Sequence, residues 1–269
     1  MTHRVTATII LMTAMLMDLM DSTITNVALP AISTDLGATP TQLEWTLVGY
    51  VVAFATLLIT GGRLGDIYGR KRIFLVGVIG FTCASVFASL AWSGNALITA
   101  RIIQGAFAGV MVPQVLSSVQ VMYAPEERGP VFGIIGSLNA LGVITGLLLG
   151  GWLVTANLFG TGWRSIFLIN VPVGVVLTVM AFLCIPESRS EHPLRLDLTG
   201  SALGATAVVL LVLPLTEGRA AGWAWWIWAL LIAAPFAIVT FIWQQHHRAT
   251  GAGAQLLPLP LFRIRSFSS

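Results

Sequence analysis

Apolar stretches of about 18 residues or more recur along almost the whole chain, separated by short polar or Gly- and Pro-bearing breaks. Eight stand out, at roughly 5–29, 45–62, 73–92, 96–122, 130–156, 164–185, 198–216 and 223–245. Runs of that length read as membrane-spanning helices, so the pattern predicts an all-α membrane protein with about eight transmembrane helices. The breaks at 123–129 and 186–197 carry charges of both signs, whereas Asn157, Gly160 and Gly162 make the break before Trp163 turn-like. Asp18 and Asp21 interrupt the first run and no small-residue cleavage site follows it, so an uncleaved first helix is expected rather than a signal peptide. From His246 to Ser269 the apolar pattern gives way to a Gly/Ala stretch and then Leu256 to Phe262.

Composition agrees with a bilayer setting. The 269 residues are 56% hydrophobic and 9% charged, with a mean hydropathy of +0.87, whereas soluble domains carry about 25% charged residues. The net charge of +3 does not point to nucleic acid, because the excess base lies in the breaks between spans. With the N-terminus in the cytoplasm, eleven of the 14 Lys and Arg fall on the cytoplasmic side: Arg4, Arg63, Arg70, Lys71, Arg72, Arg128, Arg189, Arg195, Arg248, Arg263 and Arg265. Arg164 and Arg219 fall outside and Arg101 falls within the fourth span. Both termini are therefore expected in the cytoplasm of a multi-pass cell-membrane protein. Cys83 and Cys184 lie in apolar spans with no metal or disulfide spacing, and buried thiols are expected there.

The most basic break, Gly62 to Arg72, contains Arg63, Arg70, Lys71 and Arg72 around Asp66, with Gly62, Gly65 and Gly69 as punctuation. Three glycines suit a short loop that reverses two helices. Charges inside spans are costlier, about 2.5–3.5 kcal/mol each at mid-bilayer, so they need partners or a wet cavity. Asp18, Asp21 and Arg101 are of this kind. Asp18 and Asp21 share a helix face with Thr25, and Gln104 shares one with Arg101. In the predicted topology Asp21 and Arg101 lie at similar depth and can meet. A carboxylate poised between desolvation and a guanidinium suits proton coupling, and the same pair suits helix packing alone. Gly142, Gly146 and Gly150, followed by Gly151, recur at four-residue spacing and suit close helix contact, as do Gly105 and Gly109.

These residues resemble a known family. Gly62 to Arg72 is similar to the G-x-L-x-D-x-x-G-R-K-R signature of the major facilitator superfamily. Asp21 to Pro30 (DSTITNVALP) resembles the first-helix motif of its fourteen-helix drug:proton antiporter branch. Arg101 to Gly105 (RIIQG), Gly142 to Gly151, and Trp163 to Pro172 (WRSIFLINVP) resemble motifs of its fourth, fifth and sixth helices. Leu147 stands where the fifth-helix motif has proline.

The resemblance implies a six-helix bundle over 1–190, two linker helices over 191–250, and a cytoplasmic tail over 251–269 leading toward a second bundle that the sequence does not contain. It implies that Asp21, with Asp18, couples protons, that Arg101 and Gln104 tune it, and that Gly62, Asp66, Gly69, Arg70, Lys71 and Arg72 form a gating loop. Gly142, Gly146, Gly150 and Gly151 would be an antiporter stripe. The implied activity is proton-coupled export of amphipathic or cationic drug-like compounds, with Trp45, Phe54, Phe107 and Phe132 as candidate lining. Expected partners are the bilayer, protons, the exported compound, and a second bundle or another copy, without which Asp21 and Arg101 are expected to face lipid. Alternatives are a metabolite carrier of the same superfamily and a non-transporting fragment or assembly subunit. No cofactor or metal is expected. No Ser/His/Asp set, metal cluster or phosphate loop suggests an enzyme, and His3, His192, His246 and His247 lie in tails or loops.

Overall fold

The computed structural model describes residues 2–157, 160–190, 197–219 and 221–249, and these form helices joined by short turns. The expectations for Arg195, His192 and the tail 251–269 lie outside the described residues. Among the described residues, eight helices are long and apolar enough to cross a membrane. Helix α1 covers Thr2–Leu36, α2 Pro40–Tyr68, α3 Arg70–Ser89, α4 Gly94–Met122 and α5 Pro125–Ala156. The sixth span, Gly162–Cys184, opens with a single 3-10 turn and continues as α6 (Ser165–Leu168) and α7 (Asn170–Cys184). Helices α8 (Leu198–Glu217) and α9 (Trp225–Ala249) complete the chain's described part.

The helices begin where the residues can cap them. Thr39 accepts from the Gln42 N–H while the Gln42 side chain accepts from the Thr39 N–H, and Pro40 follows in the first turn. Ser93 caps α4 through the Ala96 N–H, and Asp197 caps α8 through the Gly200 N–H. At α5, Pro125 leads and Glu126 and Glu127 occupy the first turn, where the helix dipole favours negative charge. Helices α1 and α2 outrun the apolar runs that announced them, so the breaks between spans are shorter than the hydropathy pattern suggested.

Helix α4 lies at the centre, packed on α2 and α3, while α1 joins it to α5 and α7. Two large apolar clusters fill most of the bundle. One gathers Leu11, Met17, Phe74, Phe81, Met111 and Leu177, and the other Ile24, Ile32, Leu97, Trp163, Ile166 and Phe167. Between them sits a polar layer. Helix α8 leans on α2 and carries α9 on its other side. Its bonds to the bundle include Thr60 Oγ1 to Ser201 Oγ at 2.9 Å and Trp45 Nε1 donating to Glu217.

Candidate functional site

The polar layer is built by five elements. Helix α1 places Asp21 at its core-facing stripe, and the buried Thr25 hydroxyl donates back to the Asp21 carbonyl at 2.8 Å. Helix α4 brings Arg101 and, one turn on, Gln104. Arg101 NH1 donates to Asp21 Oδ2 at 2.5 Å and to Gln104 Oε1 at 2.6 Å, while its Nε donates to the Thr46 carbonyl of α2 at 3.3 Å. Gln104 Nε2 donates to Asp21 Oδ1 and to Ser85 Oγ of α3, both at 2.9 Å. Asn170, the first residue of α7, donates through Nδ2 to Asp21 Oδ1 at 2.6 Å. The guanidinium lies 4.2 Å from the Tyr50 ring centre and 5.7 Å from that of Phe167, in cation–π contact with both.

Asp21 and Arg101 are each 1% exposed. This corrects the expectation that a lone bundle leaves them facing lipid. The reason is local: Tyr50 and Phe167 cover the guanidinium, and Gln104, Asn170 and Arg101 between them supply donors to both carboxylate oxygens. A buried ion pair tolerates its desolvation only when its remaining polar atoms are satisfied in this way. Asp18, one turn earlier on α1 and 7% exposed, accepts from the Tyr50 hydroxyl. The charge pattern therefore led to Asp18, Asp21, Arg101 and Gln104, but it missed Tyr50, Ser85 and Asn170. Asn170 and Ser85 had a usable signal, since a neutral polar residue inside an apolar span needs a partner when buried.

The basic break is not a loop. Helix α2 runs through Gly62, Gly65 and Asp66 to Tyr68, and the whole reversal is made at Gly69, whose φ of +108° is open to glycine. A side chain at Gly69 would also strike the Glu187 carboxylate. Asp66 accepts from Arg70 NH2 at 2.8 Å. Residues after α7 close over the turn: the Arg70 N–H donates to the Ser188 carbonyl at 2.9 Å, and the Ser190 N–H to the Asp66 carbonyl at 3.2 Å. Glu187 accepts the Lys71 N–H at 3.2 Å and pairs with Arg72 at 3.6 Å, placing a carboxylate at the positive start of α3.

Of the fifth-helix glycines, three face α1: Gly142 meets Leu19, Gly146 meets Thr23 and Met20, and Gly150 meets Ile24 and Val27. Gly151 faces open space and leaves the stripe, because one residue further along a helix turns about 100° away. The four aromatic lining candidates are not brought together. Trp45 reaches α8, Phe54 stacks on Tyr50, Phe107 fills the space beside Gly80 on α3, and Phe132 joins Val119 and Ile135. Among the described residues no cluster of His, Cys, Asp and Glu could hold a metal.

With this geometry in place, likeness to known proteins adds the family. Residues 11–262 match the model of the Major Facilitator Superfamily. The chain belongs to that superfamily. It is 44% identical over 260 residues to a probable actinorhodin transporter of Streptomyces coelicolor, covering 97% of this chain and 45% of the relative. It is 35% identical over 246 residues to the tetracenomycin C resistance and export protein of Streptomyces glaucescens, covering 91% of this chain and 44% of that one. The chain thus spans about half the length of the curated relatives it matches. A solved bacterial homologue of the human drug peptide transporters shares the fold, with a TM-score of 0.64 at 15% identity over 91% of this chain and 56% of its own. Membership of this superfamily makes the chain a multi-pass membrane protein of a transporter family rather than an enzyme.

Proposed function

We propose that this chain is the first six-helix bundle and linker pair of a proton-coupled exporter of amphipathic or cationic compounds. The observation that carries the reading is the buried Asp21–Arg101–Gln104 cluster. Titratable groups kept this deep in a membrane bundle, with Asp18 beside them, suit proton coupling far better than structural support, which apolar residues supply at lower cost. The names of the relatives, a probable actinorhodin transporter and a tetracenomycin C resistance and export protein, support drug export as the activity.

In this reading residues 1–190 form the working bundle and 191–250 the linker pair. The bundle rocks against a second one around a midplane site, as alternating access requires. Both ends of the chain lie in the cytoplasm, following the distribution of Lys and Arg. The turn at Gly69, with Asp66 and Arg70 to Arg72, gates the cytoplasmic side by making and breaking its contacts with Glu187 and Ser188. The glycine stripe of α5 lets that helix shift along α1.

Inverted membrane vesicles carrying the protein provide the test. An imposed proton gradient should drive uptake of a lipophilic cationic dye, and Asp21→Asn should abolish that uptake at unchanged protein level. Uptake that is equal with and without the gradient, or unaffected by Asp21→Asn, contradicts the reading.

A further inference from the structure

Asp18 and Asp21 stand one turn apart on α1, yet their surroundings differ in kind. Asp21 takes a guanidinium and two amide donors on its two oxygens. Asp18 takes the hydroxyl of Tyr50, a neutral phenol, and none of the ion pairs formed by described residues includes it. The titratable and charged groups that face Asp18 are Asp21 on its own helix, Tyr50 on α2 and Arg101 on α4. Arg101 is bonded to Asp21 and meets the Asp18–Tyr50 pair only through the face of the phenol ring. Two buried acids therefore share one cation. A phenol O–H orients a carboxyl group but cannot compensate its charge.

We propose that Asp18 is the proton-carrying group of this bundle, that Tyr50 is its positioning residue, and that the task of Asp21 is to hold Arg101. Electroneutrality of the buried set calls for one proton on two carboxyls, and Asp18, with one phenol donor against the three that Asp21 takes, is the carboxyl that holds it. Release breaks the Asp18 O–H bond and passes the proton to a water molecule as hydronium, while the carboxylate left behind keeps the Tyr50 hydrogen bond. An exit is laid out on the same face of α1, where exposure rises from Asp18 through half-buried Ser22 to exposed Asn26 at four-residue steps. Below Asp18 the same helix offers Leu11, Ala14 and Met15, which give a proton no partner.

This division of labour rests on the proton-coupled reading above, and its test reads the proton on the chain itself. Infrared difference spectra of the full chain in lipid nanodiscs, taken across a pH change, show a protonated carboxyl as a carbonyl stretch. The band should disappear in Asp18→Asn. It should persist in the double variant Asp21→Asn/Arg101→Gln, which removes the fixed pair without changing the buried net charge. Tyr50→Phe should move it to higher frequency, because the carbonyl loses its donor, and Asp18→Glu should keep a displaced band. A band that survives Asp18→Asn, or that is lost in the double variant while Tyr50→Phe leaves it unmoved, overturns the assignment. Missing dye exchange in vesicles with these spectra as expected counts against the exporter reading alone.

Discussion

Two helix pairs in this bundle use glycine at four-residue spacing, and they use it differently. Where α2 meets α4, backbone lies on backbone: a Cβ at Gly105 would strike the Tyr50 carbonyl, one at Gly109 the Phe54 carbonyl, and one at Gly61 the Gly109 carbonyl. Gln114 adds a side-chain bond across the same seam, donating to the Gly61 carbonyl at 2.7 Å. Where α1 meets α5 the approach is wider: a Cβ at Gly142 or Gly146 would come within 2.8 and 2.9 Å of the Cβ atoms of Leu19 and Thr23, with the Met20 carbonyl 3.1 Å from the one at Gly146. Beyond that stripe most of α5 is exposed. The first seam is the more firmly fixed, with approaches of 2.5 Å or less onto carbonyls against 2.8 to 3.0 Å at the second. Neither yields readily to a rotamer change, because carbonyls and Cβ atoms move only with the backbone. Arg101 and Gln104 lie just before Gly105 on α4, at the fixed seam, while Asp21 reaches them from α1.

Breaking the fixed side should cost most. Arg101→Ala leaves Asp21 buried without its cation, and a loss of about 3–5 kcal/mol is expected in reversible denaturation. Gly109→Ala forces α2 and α4 apart and should cost about 1–3 kcal/mol, the range for overpacking, with a matching fall in melting temperature. At the looser seam, Gly146→Ala meets Thr23 Cβ at 2.9 Å and should cost about 1 kcal/mol, less than Gly109→Ala, since alanine's helix preference offsets part of the crowding. Gly151→Ala, which meets nothing, should change stability by about 0.5 kcal/mol or less. Should Gly146→Ala prove as damaging as Gly109→Ala, the two seams would not differ in the way their neighbours suggest.

Much of this was legible in the residues. The eight spans follow from the length of apolar runs, and Asp21, Arg101 and Gln104 could be expected together because charge at depth demands a partner. What escaped was carried by residues without such a signature. Tyr50 and Phe167 look like ordinary apolar content, and only their place beside Arg101 shows that they shield it. The residues alone suggest a loop from Gly62, because a helix that continues past the apolar run leaves no mark in hydropathy. Gly151 was grouped with its neighbours by sequence adjacency, and helical rotation separates it from them. The docking of α8 depends on Thr60–Ser201 and Trp45–Glu217, contacts between distant polar residues that no local pattern joins.

The central claim is that Asp21 and Arg101 compensate each other inside this bundle. The direct measurement is a double-mutant cycle with Asp21→Asn, Arg101→Met and both together, read by denaturation in lipid nanodiscs. The double variant should be more stable than Arg101→Met alone, with a coupling of about 1–3 kcal/mol, because it removes the orphaned charge along with its partner. Strictly additive losses would contradict the account.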